Sequence, residues 1–129
     1  MGDKNEPYKR WLRYAFDDLS WTQSNLKEKV WYGACFTAQQ AAEKALKAYL
    51  LKHGRKAKKV HDLTALLEEC RRTDEDFESL REECVTLTDY YLPTRYPDIA
   101  EFMHFTQQKA QEAYTFAEKI VGFVDKKCG

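Results

Sequence analysis

The segment 31–51, with the sequence WYGACFTAQQAAEKALKAYLL, limits the possible folds more than any other part of the chain. Alanine is the best helix former, and here it recurs at steps of three and four residues, which places it on one side of an α-helix. A face of small side chains lets neighbouring helices approach closely. We therefore expect this segment to be the central helix of a bundle. The alanines of this face are Ala34, Ala38, Ala41, Ala45 and Ala48.

A polar stripe runs beside the alanine face of the same helix. It contains Gln40, Glu43, Lys44 and Lys47. Glu43 and Lys47 have the i, i+4 spacing at which an acid and a base pair favourably on a helix. What this stripe faces decides whether it is a solvated surface or part of a binding site.

Sequence patterns in the first half of the chain predict one more long helix and one short helix, both packed around the central helix. The first helix runs from Pro7 to about Leu26, because proline suits the first turn of a helix. The central helix ends near Gly54, since glycine tolerates the positive φ that follows many helices. A short helix then begins after Asp62, which is a plausible N-cap.

The last part of the chain predicts two further long helices. The fourth helix starts in the acidic segment 73–76 and ends at Pro93, because the residue before a proline avoids the α region. Asp98 is expected to cap the last helix, whose apolar face continues to about Lys126. The residues of that face include Ile99, Phe102, Met103, Ala110, Ala113, Ala117, Ile120 and Val124.

Together these patterns predict an all-α, up-and-down helical bundle of four long helices plus one short helix. No stretch alternates β-branched and polar residues between turn signals, so no strand is expected. With 129 residues, the chain is expected to be a single domain, with its core at about residues 8–124.

Composition excludes several classes of function. The 21 basic and 21 acidic residues give no net charge, so any contact with nucleic acid must come from a local patch. No apolar run approaches the roughly 18 residues of a membrane span, and the N-terminal segment has no apolar signal region. The four cysteines are scattered without a C-x-x-C pair, which favours a reduced, cytoplasmic protein with no metal site and no cofactor.

Two charged segments each leave two interpretations open. Asp17 and Asp18 lie in the middle of the first helix, where they either face solvent or pair with a basic residue of the second helix. The basic run 52–59, KHGRKAKK, is either a solvated loop or a loop that faces phosphate.

The segment 91–98, YLPTRYPD, contains the strongest candidate for a binding residue. Arg95 and Tyr96 lie between two prolines that stiffen the connection. An arginine on a rigid connection is suited to a planar, bidentate hold on phosphate or carboxylate. The alternative is that Arg95 ties the loop to an acid such as Glu43.

Catalytic motifs are absent from the sequence. No Gly-x-Ser-x-Gly elbow and no glycine-rich phosphate loop is present. His53, His61 and His104 are isolated in sequence. We expect His61 to be a capping or packing residue and His104 to be a packed or surface residue.

Four segments, taken in order, resemble the HEPN domain family (higher eukaryotes and prokaryotes nucleotide-binding). They are Asp18-Leu19, the run 34–48 (ACFTAQQAAEKALKA), the run 60–63 (VHDL) and the run 91–98 (YLPTRYPD). The resemblance covers about residues 8–124. It implies an up-and-down helical bundle, commonly a homodimer, that often works with a minimal nucleotidyltransferase in a toxin–antitoxin-like pair.

Many members of this family are metal-independent ribonucleases with an Arg-x(4–6)-His motif. Carried over to Arg95, that motif needs a histidine at position 100, 101 or 102, where this chain has Ala100, Glu101 and Phe102. The usual motif is therefore absent. A ribonuclease would need a shifted motif that uses Arg95 and His104 as its catalytic residues.

We therefore expect a nucleotide- or partner-binding module, with nucleotide or RNA as the ligand. The alternatives are the shifted-motif ribonuclease and a dimeric scaffold without a small ligand, joined through Trp11, Phe16 and Trp21. The residues expected to bind ligand or phosphate are Arg95, Tyr96, Lys44 and Lys47, with Tyr91, Pro97, Asp98, Glu43 and His61 in support.

Overall fold

The computed structural model describes residues 6–56, 61–100 and 104–129, without the side chains of residues 99 and 100. Every regular element in these ranges is helical, which confirms the predicted all-α bundle. The helices are α1 (Pro7–Lys27), α2 (Trp31–Lys52), α3 (Leu63–Arg71), a 3-10 helix (Glu75–Leu80) that continues into α4 (Arg81–Thr88), α5 (Tyr91–Arg95), α6 (Pro97–Ala100) and α7 (Gln107–Cys128).

Helix α2 is the central element, as the alanine pattern predicts. It packs along α1 and α7 and also contacts α3, α4 and α5. All five alanines of its small face are fully buried. Their small volume lets α1 and α7 lie close to the axis of α2, so the core forms around this helix.

The predicted ends of the early helices are confirmed. The Asp62 carboxylate accepts hydrogen bonds from the backbone amides of Thr64 at 2.9 Å and Ala65 at 3.4 Å, so it caps α3. Gly54 follows the end of α2 with a φ of +71°, in the left-handed region that glycine adopts at little cost.

The prediction that Pro93 ends the fourth helix is wrong. Helix α4 ends earlier, at Thr88, and Pro93 lies inside α5 as its third residue. A proline is tolerated there because the first amides of a helix have no partner within the helix. Residues 91–100, which follow α4, therefore form two short helices, and Arg95 lies at the end of the first of them, α5.

The predicted cap of the last helix is also wrong. Asp98 lies in the short helix α6, and α7 begins at Gln107. Its cap is Thr106, whose hydroxyl accepts from the backbone amide of Lys109 at 3.1 Å. A hydroxyl at this position satisfies an amide that the helix leaves free.

Some predictions concern parts of the chain outside the described residues. They are the apolar contacts of Phe102, of Met103 and of the Ile99 side chain, and the part of the basic run that contains Lys58 and Lys59.

The thiols of Cys35, Cys70, Cys84 and Cys128 are free and buried, and burial raises the pKa of Cys35 and of Cys84 to about 12. These thiols therefore act as small apolar core groups.

Among the described residues, no helix is both long and apolar enough to cross a bilayer. The same part of the chain holds no cluster of three or more His, Cys, Asp or Glu side chains suited to a metal ion.

Candidate ligand-binding site

Arg95 is the last residue of α5, and its guanidinium reaches back onto α2. The guanidinium carbon lies 3.8 Å from the centre of the Tyr91 ring and 4.6 Å from that of Phe36. Its Nη1 donates to the Tyr91 carbonyl at 3.0 Å, and its Nη2 donates to the Gln39 side-chain oxygen at 3.2 Å. Contacts from two helices thus hold the cation in one place.

Gln39 connects Arg95 to a buried polar network. Its side chain is fully buried, and its amide nitrogen donates to the Glu43 carboxylate and to the His61 carbonyl, both at 3.3 Å. Because the nitrogen is committed to these two acceptors, the amide oxygen must face Arg95. Gln39 therefore fixes the orientation of the guanidinium.

Glu43 forms the centre of this network. It is buried, its carboxylate accepts from the Lys47 ammonium at 3.0 Å, and the Nδ1 of His61 lies 3.1 Å from it. A carboxylate only accepts, so Nδ1 of His61 carries the proton in this pair. The His61 ring also stacks on the Tyr91 ring, with 4.6 Å between centroids and 17° between planes. The network therefore links α2, the start of α3 and α5.

Arg95 itself has no carboxylate partner among the described residues. Burial lowers the pKa of its guanidinium, while Tyr91 and the Glu43 charge act in the opposite direction. The group remains a cation at neutral pH, since arginine pKa values start so high. A guanidinium has about five N–H donors; those in use here go to Tyr91, Thr94 and Gln39. The remaining donors have no acceptor within residues 6–56, 61–100 and 104–129, so an anion can use them.

The alternative interpretation, in which Arg95 ties the loop to Glu43, corresponds only to an indirect link. The two residues are joined through the Gln39 amide, and the direct partners of Glu43 are Lys47 and His61. The Gln39 amide is neutral, so it orients the Arg95 guanidinium without neutralising its charge. The guanidinium is held in place, and no carboxylate of the described residues contacts it directly.

Two adjoining grooves open beside Arg95. The first, with a volume of about 330 Å³, is lined by Arg95 together with Tyr32, Pro93, Thr94, Pro97 and Phe105. The second, of about 520 Å³, shares Tyr32 and Thr94 with it and continues along Phe36 to Trp21. A ligand bound at Arg95 would therefore lie against aromatic side chains.

The lysines predicted to bind ligand lie elsewhere or are already paired. Lys47 is buried against Glu43, and its ammonium also lies 5.7 Å from the centre of the Trp11 ring. Lys44 pairs with Asp18 at 2.7 Å and lines a separate groove with Tyr14. This pair is the interhelical alternative that the sequence left open for Asp18.

The other predicted residues surround Arg95 or lie apart from it. Tyr96 and Asp98 are exposed, and Pro97 lines the first groove. His104 is exposed, and its carbonyl accepts from Lys109 at 2.8 Å. Within the described ranges, no hydrogen bond, ion pair or ring contact joins His104 to Arg95.

Sequence reasoning missed Gln39 and Phe36 as parts of this site. Gln39 precedes Glu43 by one helical turn, so the spacing 39, 43, 47 already indicated a polar line along α2. Phe36 had no such signal, because an aromatic residue on a central helix is usually a core residue. Its contact with Arg95 depends on how α5 folds back.

The fold and the buried network define the class of this protein as a small helical bundle whose central helix carries both an apolar alanine face and a buried polar network. The chain belongs to the HEPN domain family, whose profile matches residues 8–127. A search of curated proteins finds no match.

Two solved structures are similar over nearly the whole chain. TT1696 from Thermus thermophilus is 37% identical, with a TM-score of 0.84, covering 95% of this chain and 98% of the other. ST0689, an archaeal HEPN homologue, is 27% identical, with a TM-score of 0.78 and the same two coverages. Similarity of this extent agrees with the all-α HEPN fold described above.

Proposed function

We propose that this HEPN domain is a nucleotide-binding module in which Arg95 binds the phosphate. The observation that supports it is the state of the Arg95 guanidinium: it is partly buried, held by Gln39 and the Tyr91 carbonyl, and without a carboxylate partner among the described residues. A cation fixed in this way is prepared for an anion, because little side-chain freedom remains to be lost on binding.

Tyr96 and Pro97 complete the proposed site at the end of α5. Both residues are exposed, and Pro97 lines the groove that Arg95 opens into. Lys44 and Lys47 are left out of the ligand set, because each ammonium already has a carboxylate partner. Phosphate recognition therefore depends on one guanidinium and its neighbours.

The resemblance to HEPN proteins extends the proposal to partners. We infer a homodimer that works beside a minimal nucleotidyltransferase in a toxin–antitoxin-like pair, in the cytoplasm. Co-expression with such an enzyme, followed by purification through a tag on one protein, tests the pairing. A HEPN domain that elutes alone would contradict it.

Calorimetric titration tests the role of Arg95. We expect a nucleoside monophosphate to bind more tightly than the matching nucleoside. We expect Arg95→Ala to weaken monophosphate binding roughly 10- to 100-fold, as charge-assisted hydrogen bonds are worth about 1.5–3 kcal/mol. The control is Arg72→Ala, since Arg72 is an exposed arginine paired with Glu69 at 3.4 Å. Equal affinities of wild type and Arg95→Ala would reject the proposal.

A second candidate function is a ribonuclease with a shifted motif. Phe105 lines the same groove as Arg95, so the chain next to His104 reaches that groove. In this scheme, Arg95 stabilises charge on the phosphate and His104 transfers a proton. Incubation of RNA with high concentrations of protein in EDTA tests it. Cleavage that His104→Ala abolishes would favour the ribonuclease, and intact RNA would exclude it.

A further inference from the structure

The two adjoining grooves beside Arg95 share part of their lining, and together they are called the aromatic groove here, defined by Trp21, Tyr32, Phe36 and Thr94. Tyr32 and Thr94 line both halves, and Phe36 contacts the Arg95 guanidinium as well as the groove. One end of the aromatic groove thus carries a fixed positive charge. The other end carries an exposed indole.

The rings along this groove are unusually accessible. Trp21 is 64% exposed and Tyr32 is 58% exposed. Exposed aromatic side chains that line a concave surface beside a cation are typical of surfaces that stack bases. Each ring offers a flat face, and every nucleobase has a matching flat face.

The polar side chain of Asn25 also lines the groove. Among the described residues, this side chain makes one long hydrogen bond, from its amide nitrogen to the Thr37 hydroxyl at 3.4 Å. An amide has two donors and a carbonyl acceptor, so donor and acceptor capacity remains for the edge of a heterocycle. An aliphatic peptide side chain would leave these groups unpaired, which is unfavourable.

We infer that the aromatic groove holds the base of an unpaired nucleotide whose phosphate lies on Arg95. This inference rests on the proposed function, and it narrows the ligand to a nucleotide that is free or within a single strand. The complementarity is twofold: the guanidinium matches the phosphate charge, and the rings match the base. A base in a duplex is stacked on its neighbours and would not reach the groove.

Trp21 and Tyr32 supply the decisive variants because both side chains are largely exposed, so their removal leaves the core intact. Inorganic phosphate, ribose 5-phosphate, a nucleoside monophosphate and a short single-stranded oligonucleotide are titrated against wild type, Trp21→Ala and Tyr32→Ala. We expect the monophosphate to bind roughly 5- to 100-fold more tightly than ribose 5-phosphate, the range given by stacking of one base. Comparing the affinity of the oligonucleotide with that of the monophosphate shows whether the groove binds a free nucleotide or a nucleotide within a single strand.

Each groove variant is expected to lower monophosphate affinity to that of ribose 5-phosphate without changing inorganic phosphate binding. Trp21→Phe is expected to retain most of the affinity, because it keeps a flat ring. Phe16→Ala is the matched control, since Phe16 is an exposed ring of α1 that lines neither half of the groove.

The outcomes separate this inference from the proposed function. If Arg95→Ala lowers the binding of every phosphate while Trp21→Ala and Tyr32→Ala change nothing, the base site is rejected and the phosphate site stands. If Arg95→Ala also changes nothing, the proposed function fails. If light scattering shows that the groove variants separate a dimer while nucleotide affinity is unaltered, the groove is an interface between two copies and the inference is overturned.

Discussion

The Arg95 guanidinium donates a hydrogen bond to the Gln39 side-chain oxygen at 3.2 Å, across 56 residues of sequence. This contact joins the short helix α5 to the central helix α2. Gln39 is oriented in turn by Glu43 and by the His61 carbonyl. The position of the proposed anion-binding group is therefore set by buried residues of α2 as well as by its own helix α5.

Replacing Gln39 with leucine tests this dependence. Gln39→Leu removes the acceptor of Arg95 and leaves Glu43 and the His61 carbonyl without their shared donor. We expect the free energy of unfolding to fall by about 1–3 kcal/mol, the cost of leaving buried polar groups unpaired. We also expect phosphate affinity to fall, because the guanidinium loses its fixed orientation. Urea denaturation and calorimetric titration measure the two effects.

The neighbouring Gln40→Leu is the matched control for that experiment. Gln40 is half-buried, on the same helix, and takes no part in the network described above. It is expected to leave phosphate affinity unchanged. Equal affinities of Gln39→Leu and Gln40→Leu would show that Gln39 does not position Arg95.

The raised pKa of the Asp18 carboxyl should make the free energy of unfolding depend on pH. Burial raises the pKa of its carboxyl, although the contact with Lys44 acts to lower it. Because the folded protein holds this proton more tightly than the unfolded chain, the contribution of Asp18 to stability falls as pH rises through its folded pKa. Asp18→Asn removes the titration. We therefore expect the stability of the variant, relative to wild type, to rise as pH increases above the ordinary carboxyl pKa of 3.8.

Urea denaturation at several pH values measures the Asp18 effect, with Glu82→Gln as the control. Glu82 is an exposed carboxylate on α4, whereas the charge of the adjacent Asp17 helps to raise the pKa of Asp18. The account is contradicted if Asp18→Asn and wild type have parallel stability curves over the whole range.

A larger side chain on the alanine face of α2 is expected to destabilise the bundle. Ala41 is fully buried in the core that α2 shares with its neighbours. Ala41→Leu adds volume where the helices approach closely, and such overpacking typically costs about 1–3 kcal/mol. A lowered midpoint in thermal and urea unfolding is the expected result. A variant as stable as wild type would mean that α2 tolerates a wider spacing than its alanines indicate.

Much of the fold could be predicted because it depends on local patterns. The buried alanines, the Asp62 cap and the positive φ of Gly54 are each set by residues within one or two turns of the chain. The described segment 89–100 could not be predicted in the same way. Pro93 is compatible with the first turn of a helix as well as with its end, and the packing of α5 on α2 is a contact between residues far apart in sequence.

The candidate site shows the same division between local and distant contacts. Arg95 stood out in the sequence because it lies between two prolines, and Glu43 and Lys47 stood out through their helical spacing. Gln39 and Phe36 become partners of Arg95 only when α5 packs on α2, so residues far apart in sequence must first be brought together. The burial of Lys47 likewise depends on tertiary packing, which the polar stripe alone does not reveal.

The most direct test of the central claim is the Nε–H resonance of Arg95 in a ¹⁵N–¹H NMR spectrum recorded while inorganic phosphate is added. The signal is assigned by its loss in Arg95→Lys, and the resonance of Arg72 is the internal reference. The account predicts a saturable shift of the Arg95 signal, larger than that of Arg72, because the guanidinium has free donors and no carboxylate partner within the described chain. An Arg95 signal that stays in place while other arginine signals move would contradict it.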